Sequence, residues 1–371
     1  MHTMTNSKVK DLHKNNMGKS ISKVLQITFT LVLIVVILYY GKSILAPLAI
    51  ACILSMLFVA PSVWMEKKGL PRWATALITV GILIVCLVGI GFLLSWQLQN
   101  FAEQISSLKQ NLSQILSSIQ HWIQDRLDID QAKQQAIAEE QMKSQPTDGS
   151  TVKQLASGFF GLLVDFILVM VYTYLLLFYR SRLKKFLLKI APSGDQKKTM
   201  EIAESASQVA ANYMTGLAKM IVVLWILYGF GFTAIGVENA LFFAVICGLL
   251  ELVPFIGNLT GTAIAIVGVT AQGGDTNMIV GVILIYGFVQ FVQTYLLEPL
   301  IVGNEVNINP LFTIFSLVAA EAVWGIPGMI LAIPVTGMIK IICDRIPRLQ
   351  PYGYLIGSDK KAKKSFWKRK K

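Results

Sequence analysis

Two carboxylates stand where charge is expensive. Glu251 opens the stretch Glu251-Leu-Val-Pro254-Phe-Ile-Gly257-Asn258-Leu-Thr-Gly261 inside an apolar run from Ala240 to Ala271. Glu321 opens Glu321-Ala-Val-Trp324-Gly325-Ile-Pro327-Gly328 inside a second run, from Leu311 to Ile339. A carboxylate can exchange a proton or balance a cation, and at membrane depth it persists only where a partner or a watery cavity takes care of it. Helices broken at that depth add free N–H groups for an anion and carbonyls for a cation. The pair therefore marks the expected functional centre. Gln290, Gln293 and Asn258 could bind a polar solute there. Pro254, Gly257, Gly325, Pro327 and Gly328 read as shape-setting residues, since Gly and Pro supply turn geometry and close approach rather than chemistry. Gly257 and Gly261 also form a GxxxG pattern, commonly a helix-packing face. Asp165 is a further carboxylate in an apolar run, costing about 2.5–3.5 kcal/mol at mid-depth unless it meets a partner or water. It either belongs to an ion route or sits near the outer interface or against a neighbouring helix.

The elements that must hold these residues follow from composition. With 54% hydrophobic residues over 371 positions and several charge-free runs of span length, the chain reads as an all-α polytopic membrane protein. It should contain about eight hydrophobic helical segments, including two broken or re-entrant hairpins. The formal charge of +12 does not imply nucleic acid, because the basic residues are concentrated in the tails and in loops between spans, as cytoplasmic segments are. Cys52, Cys86, Cys247 and Cys343 lack the spacing of a metal site or a disulfide framework. No metal and no cofactor are expected.

In chain order, a basic cytoplasmic N-terminus (1–23) carries no cleavage signal, so the first span should serve as signal and anchor. Three spans occupy 24–96, with Pro61 marking the approach to the basic loop Glu66 to Arg72 and Trp96 at an interface. A polar extracytoplasmic segment follows at 97–153. Within it Phe101, Ile105, Leu108, Leu112, Ile115, Ile119 and Trp122 alternate steps of four and three, a stripe that packs either on the protein's own outer surface or on another copy in a homo-oligomer. A fourth span (154–179) ends at the basic cluster from Arg180 to Lys198. In the loop at 180–219, Met200 to Leu217 recur at helical spacing, which suggests an amphipathic helix along the inner membrane face. The transport core occupies 220–345. Between Ser205 and Ile339 there is one Lys (Lys219), no Arg, and carboxylates at Glu238, Glu251, Asp275, Glu298, Glu305 and Glu321, a bias toward handling cations or protons. A basic tail (346–371) stays in the cytoplasm near anionic lipid.

Counting crossings from the inside gives a span and a hairpin from one side, then a span and a hairpin from the other. Inverted repeats with broken helices are how many secondary transporters place a site near the midplane.

At these residues the chain resembles the autoinducer-2 exporter (AI-2E) family of bacterial membrane transporters. The similarity rests on Val253-Pro254-Phe255-Ile256-Gly257, on Gln293 through Glu298-Pro299 and Gly303 to Asn309-Pro310, and on Gly325-Ile326-Pro327-Gly328 with Ala332-Ile333-Pro334. The resemblance implies a carrier of the bacterial cytoplasmic (inner) membrane, exporting a small autoinducer-2-like solute or exchanging sodium or lithium for protons. Asn258 departs from the proline or small residue common after the turn glycine.

Other function classes fare worse. His2, His13 and His121 all lie outside the spans, and no HExxH, GxSxG or phosphate-binding lysine motif is present, so an intramembrane enzyme is not expected. A channel or an oligomeric scaffold is the alternative, because broken helices can also frame a pore. On this reading either Glu251→Gln or Glu321→Gln should abolish coupled transport without impairing assembly.

Overall fold

The computed structural model describes residues 25–102, 150–192, 194–254, 256–302 and 307–358. Most of the polar segment 97–153, with nearly all of its heptad stripe, lies outside these residues, as do the first 24 residues and the tail beyond Ser358.

All described elements are helical, apart from one isolated bridge between Ile308 and Gly357. α1 (Leu25–Tyr40) is followed after Gly41 by α2 (Lys42–Lys67) and, past a short loop, α3 (Arg72–Ala102). α2 keeps both Pro47 and Pro61 inside it, Pro61 in its last two turns. α4 (Ser150–Ile190) runs on through Arg180 and Lys185, well past the apolar stretch that ends at Tyr179. α5 (Gln196–Ala234) is a single helix of 39 residues. The expected break between an amphipathic surface helix and the next span is absent: no proline lies between Met200 and Val223, and the single glycine there, Gly216, is buried within the helix. Its small face is covered by protein rather than lipid: Ala210 packs with Ile53 of α2 and with Leu331.

Two hairpins follow. α6 (Ala240–Leu250) and α7 (Ile256–Ala271) form the first. Their 11 and 16 residues reach only about 16 and 24 Å, short of a hydrocarbon core of about 30 Å. α8 (Thr276–Val292) starts at Asp275, whose side chain accepts from Met278 N at 2.9 Å, and leads into a π-helix over Gln293–Val302. α9 (Pro310–Trp324) and α10 (Ile326–Arg345) form the second hairpin, turning at Gly325 with φ 66° and ψ −140°. The two hairpins share a closing device. A Cβ on Gly257 would collide with the Leu250 carbonyl, and one on Gly328 would collide with the Ala320 carbonyl.

Among the described residues, six helices are long and apolar enough to cross a membrane, and four shorter apolar ones accompany them. The exposed surface carries large apolar side chains such as Phe92, Phe230 and Leu300, as a lipid-facing surface does. α5 is the hub, packing on α2, α6, α8, α10 and the π-helix. The main core follows it through Tyr213, Leu217, Leu224, Tyr228 and Phe232 against α6, α7 and α8. The hairpins both touch α5 and make no extended contact with each other.

Polar contacts pin the helix ends. Glu66 at the end of α2 is ion-paired with Arg180 of α4, accepts from Thr75 Oγ1 at 3.3 Å and lies 3.8 Å from Arg72. A short helix α11 (Gln350–Ile356) closes the described chain. It is strapped to the start of α9 by Asn309, whose backbone N–H donates to Ile356 O at 2.9 Å and whose Nδ2 donates to Leu355 O at 2.7 Å and Gly357 O at 3.3 Å. Beneath the strap, buried Lys340 pairs with Asp344 at 2.5 Å.

Candidate functional site

Glu251 falls at the break between α6 and α7, where Leu250 ends the first arm and Pro254 and Gly257 turn the chain into the second. The break frees the carboxylate from a helical face and turns it toward α8. There Gln290 Nε2 donates to Glu251 Oε1 at 2.5 Å, and Gln293 Nε2 donates to Oε2 at 3.2 Å. Both carboxylate oxygens are thus held by neutral amide donors, with no cation in reach among the described residues. Gln290 Nε2 also lies 3.3 Å from Tyr228 Oη and 3.4 Å from Gln293 Oε1.

Aromatic side chains wall the cluster. Tyr228 of α5 is fully buried, and its ring lies 4.9 Å from that of Tyr286 on α8. The Tyr286 hydroxyl comes so close to Gly261 of α7 that a Cβ there would strike it. Gly261 therefore does work as a packing face, but for a tyrosine hydroxyl rather than another helix backbone. That hydroxyl lies toward Tyr228, Thr262 and Cys247, and none of these contacts meets hydrogen-bond geometry, so among the described residues Tyr286 Oη is buried without a partner. Cys247 of α6 completes this side, donating to Gly261 O at 3.6 Å.

The π-helix explains why Gln293 takes part. Gln293 is its first residue and buried, and a π-turn widens the helix so that successive side chains are re-aimed. Such turns are rare and frequent at functional sites. Glu298 lies on the same segment, exposed.

Of the residues singled out in the sequence, Glu251, Gln290 and Gln293 come together. Asn258 sits half-buried in the first turn of α7, its carbonyl accepting from Thr262 Oγ1 at 2.9 Å, and its side chain does not reach the carboxylate. Glu321 is on an exposed face of α9, three residues before its end, and its carboxylate has no partner among the described residues. Asp165 is likewise exposed on α4. Pro254, Gly257, Gly325, Pro327 and Gly328 all lie at the hairpin turns. Tyr228, Tyr286 and Cys247 were not singled out beforehand. The signal for one of them was present: Tyr286, Gln290 and Gln293 recur at steps of four and three within an apolar span, which is a polar stripe on one face.

The AI-2E family transporter pattern matches residues 28–348, which takes in every helix of the site. The chain belongs to the AI-2E family of membrane transporters. Similar proteins include the "Putative transport protein YrrI" of Bacillus subtilis (strain 168), 24% identical over 83% of this chain and 88% of its own length. The "Putative transport protein YueF" of the same organism is 26% identical over 88% and 93%. The "Putative permease PerM" of Escherichia coli (strain K12) is 26% identical over 84% and 90%. Each of these matches takes in more than four-fifths of both chains.

Proposed function

We propose that the chain is a secondary carrier that couples movement of a small solute to a monovalent cation or proton, with Glu251 as the coupling carboxylate. The observation that carries this reading is the Glu251 carboxylate itself, set at a helix break inside apolar packing and held by two amides, with no counter-charge among the described residues. An intramembrane carboxylate that could trade its amide partners for a cation or a proton has the chemistry of a coupling site. Family membership supports export of an autoinducer-2-like solute, or exchange of sodium or lithium for protons, as the overall reaction. The two short arms of the first hairpin support a re-entrant element, and α5, which touches both hairpins, suits alternating access as the body against which they move. The basic residues near Arg180 and in the tail favour cytoplasmic termini in a bacterial inner membrane.

Purified protein in proteoliposomes tests the reading. Saturable solute or sodium flux that requires an opposing proton or sodium gradient is the expected result, and Glu251→Gln should remove it while the protein still reconstitutes. Non-saturating conductance that ignores the counter-ion would make the protein a channel instead.

A further inference from the structure

The Gln290 carboxamide nitrogen occupies an unusual position. It has three oxygens around it: Glu251 Oε1 at 2.5 Å, Tyr228 Oη at 3.3 Å and Gln293 Oε1 at 3.4 Å. An amide NH2 has two hydrogens to give, so three acceptors exceed what it can satisfy. A carboxylate, a hydroxyl and an amide carbonyl converging on one point are instead the donor set of a hard cation. Next to them, on the ring that lies 4.9 Å from that of Tyr228, Tyr286 Oη, 3% exposed as a residue, has no hydrogen-bond partner among the described residues.

We propose that the point now held by Gln290 Nε2 is a site for a dehydrated monovalent cation, and that the Gln290 side chain is its tethered plug. This rests on the carrier reading above and assigns the cation's ligands as Glu251, Tyr228 and Gln293, with Tyr286 in reach as a further oxygen. The charge sets the valence: one carboxylate neutralises one positive charge, whereas a divalent ion would leave a net charge in a low-dielectric interior. The plug explains how the carboxylate is kept hydrogen-bonded when no cation is present, which an apolar side chain could not do. Gln290 leaves the cage as the cation enters.

Thermal stability of the purified full-length protein, titrated with sodium chloride or lithium chloride against choline chloride at constant ionic strength, reads this directly. A bound cation raises the melting temperature by mass action. If the plugged arrangement outweighs the open one about tenfold, Gln290→Ala should lower the half-effective sodium concentration about tenfold, since the cation no longer competes with the plug. An equal or higher concentration in Gln290→Ala would make Gln290 a ligand or a structural residue and overturn the plug. Glu251→Gln removes the charge that holds the cation, so sodium should no longer stabilise that variant, and stabilisation equal to wild type would also overturn the proposal. Absence of any sodium or lithium effect in wild type and in Gln290→Ala alike would instead sink the cation-coupled reading itself.

Discussion

At the scale of single residues, what separates Glu251 from the other carboxylates is its set of partners. Glu251, Glu321 and Asp165 all interrupt apolar runs, but only Glu251 is met by donors from a neighbouring helix. Charge at membrane depth is a signal of cost, and the sequence does not say which neighbour offsets it. The expectation that both Glu251 and Glu321 carry coupling therefore divides. Glu251→Gln should reduce coupled flux to background, whereas Glu321→Gln, on an exposed face without a partner, should keep flux within about twofold of wild type, the range of a surface change. Side-by-side uptake measurements at equal reconstituted protein check this, and loss of flux in Glu321→Gln would return it to the mechanism. Tyr228→Phe removes one oxygen from around Gln290 while leaving the ring stack with Tyr286 and Phe232 in place. Its stability cost should be about 0.5–1.5 kcal/mol, the worth of one hydrogen bond, with a larger effect on sodium dependence than on melting temperature.

At the scale of elements, the hairpins were legible because Pro254, Gly257, Gly325 and Pro327 are breakers inside runs too short for two full crossings. Glycines at a turn announce close approach, and Gly257 and Gly328 each sit against a carbonyl of the opposing arm. Alanine at either position should cost about 1–3 kcal/mol by overpacking, and Gly325→Ala a similar amount through its positive φ. Melting curves of the three variants check this, and an unshifted Gly257→Ala would mean that the arms separate without penalty. Two elements were not legible. The π-helix at Gln293 has no compositional signature, since Gln-Thr-Tyr-Leu-Leu reads as ordinary helix and Pro299 as its end. The continuity of α5 was hidden because Ala203, Ala206 and Ala210 look alike whether they face lipid headgroups or another helix. Only the contact with Ile53 and Leu331 decides between these.

At the scale of the whole molecule, the membrane class and the helical fold follow from hydropathy alone, while the pairing of helices does not. Apolar spans carry little information about which neighbour they choose, because lipid and helix surfaces are alike in polarity. The choices are marked by sparse polar contacts. Ser62 Oγ meets Thr79 Oγ1 at 3.3 Å between α2 and α3, and the Glu66–Arg180 pair ties α2 to α4. Arg180→Ala leaves Glu66 with Thr75 and a distant Arg72, and should destabilise the assembly by about 1–3 kcal/mol, less than a fully buried pair because both side chains keep about a fifth of their surface exposed. Glu66→Gln together with Arg180→Gln should recover part of that loss, which a melting series would show.

The strap formed by Asn309 has a practical meaning for how the protein can be trimmed. Cutting the chain after Ser358 discards the lysine-rich extension yet keeps every acceptor that Asn309 uses, so such a form should express and melt like the intact protein. Cutting a few residues earlier, ahead of Leu355, takes away the carbonyls of Leu355, Ile356 and Gly357 together and uncovers buried Lys340, whose stem lies so close to Gly357 that a Cβ there would crowd it. The boundary between a harmless and a damaging truncation therefore falls within four residues, and a ladder of C-terminal deletions should show an abrupt step there rather than a gradual decline.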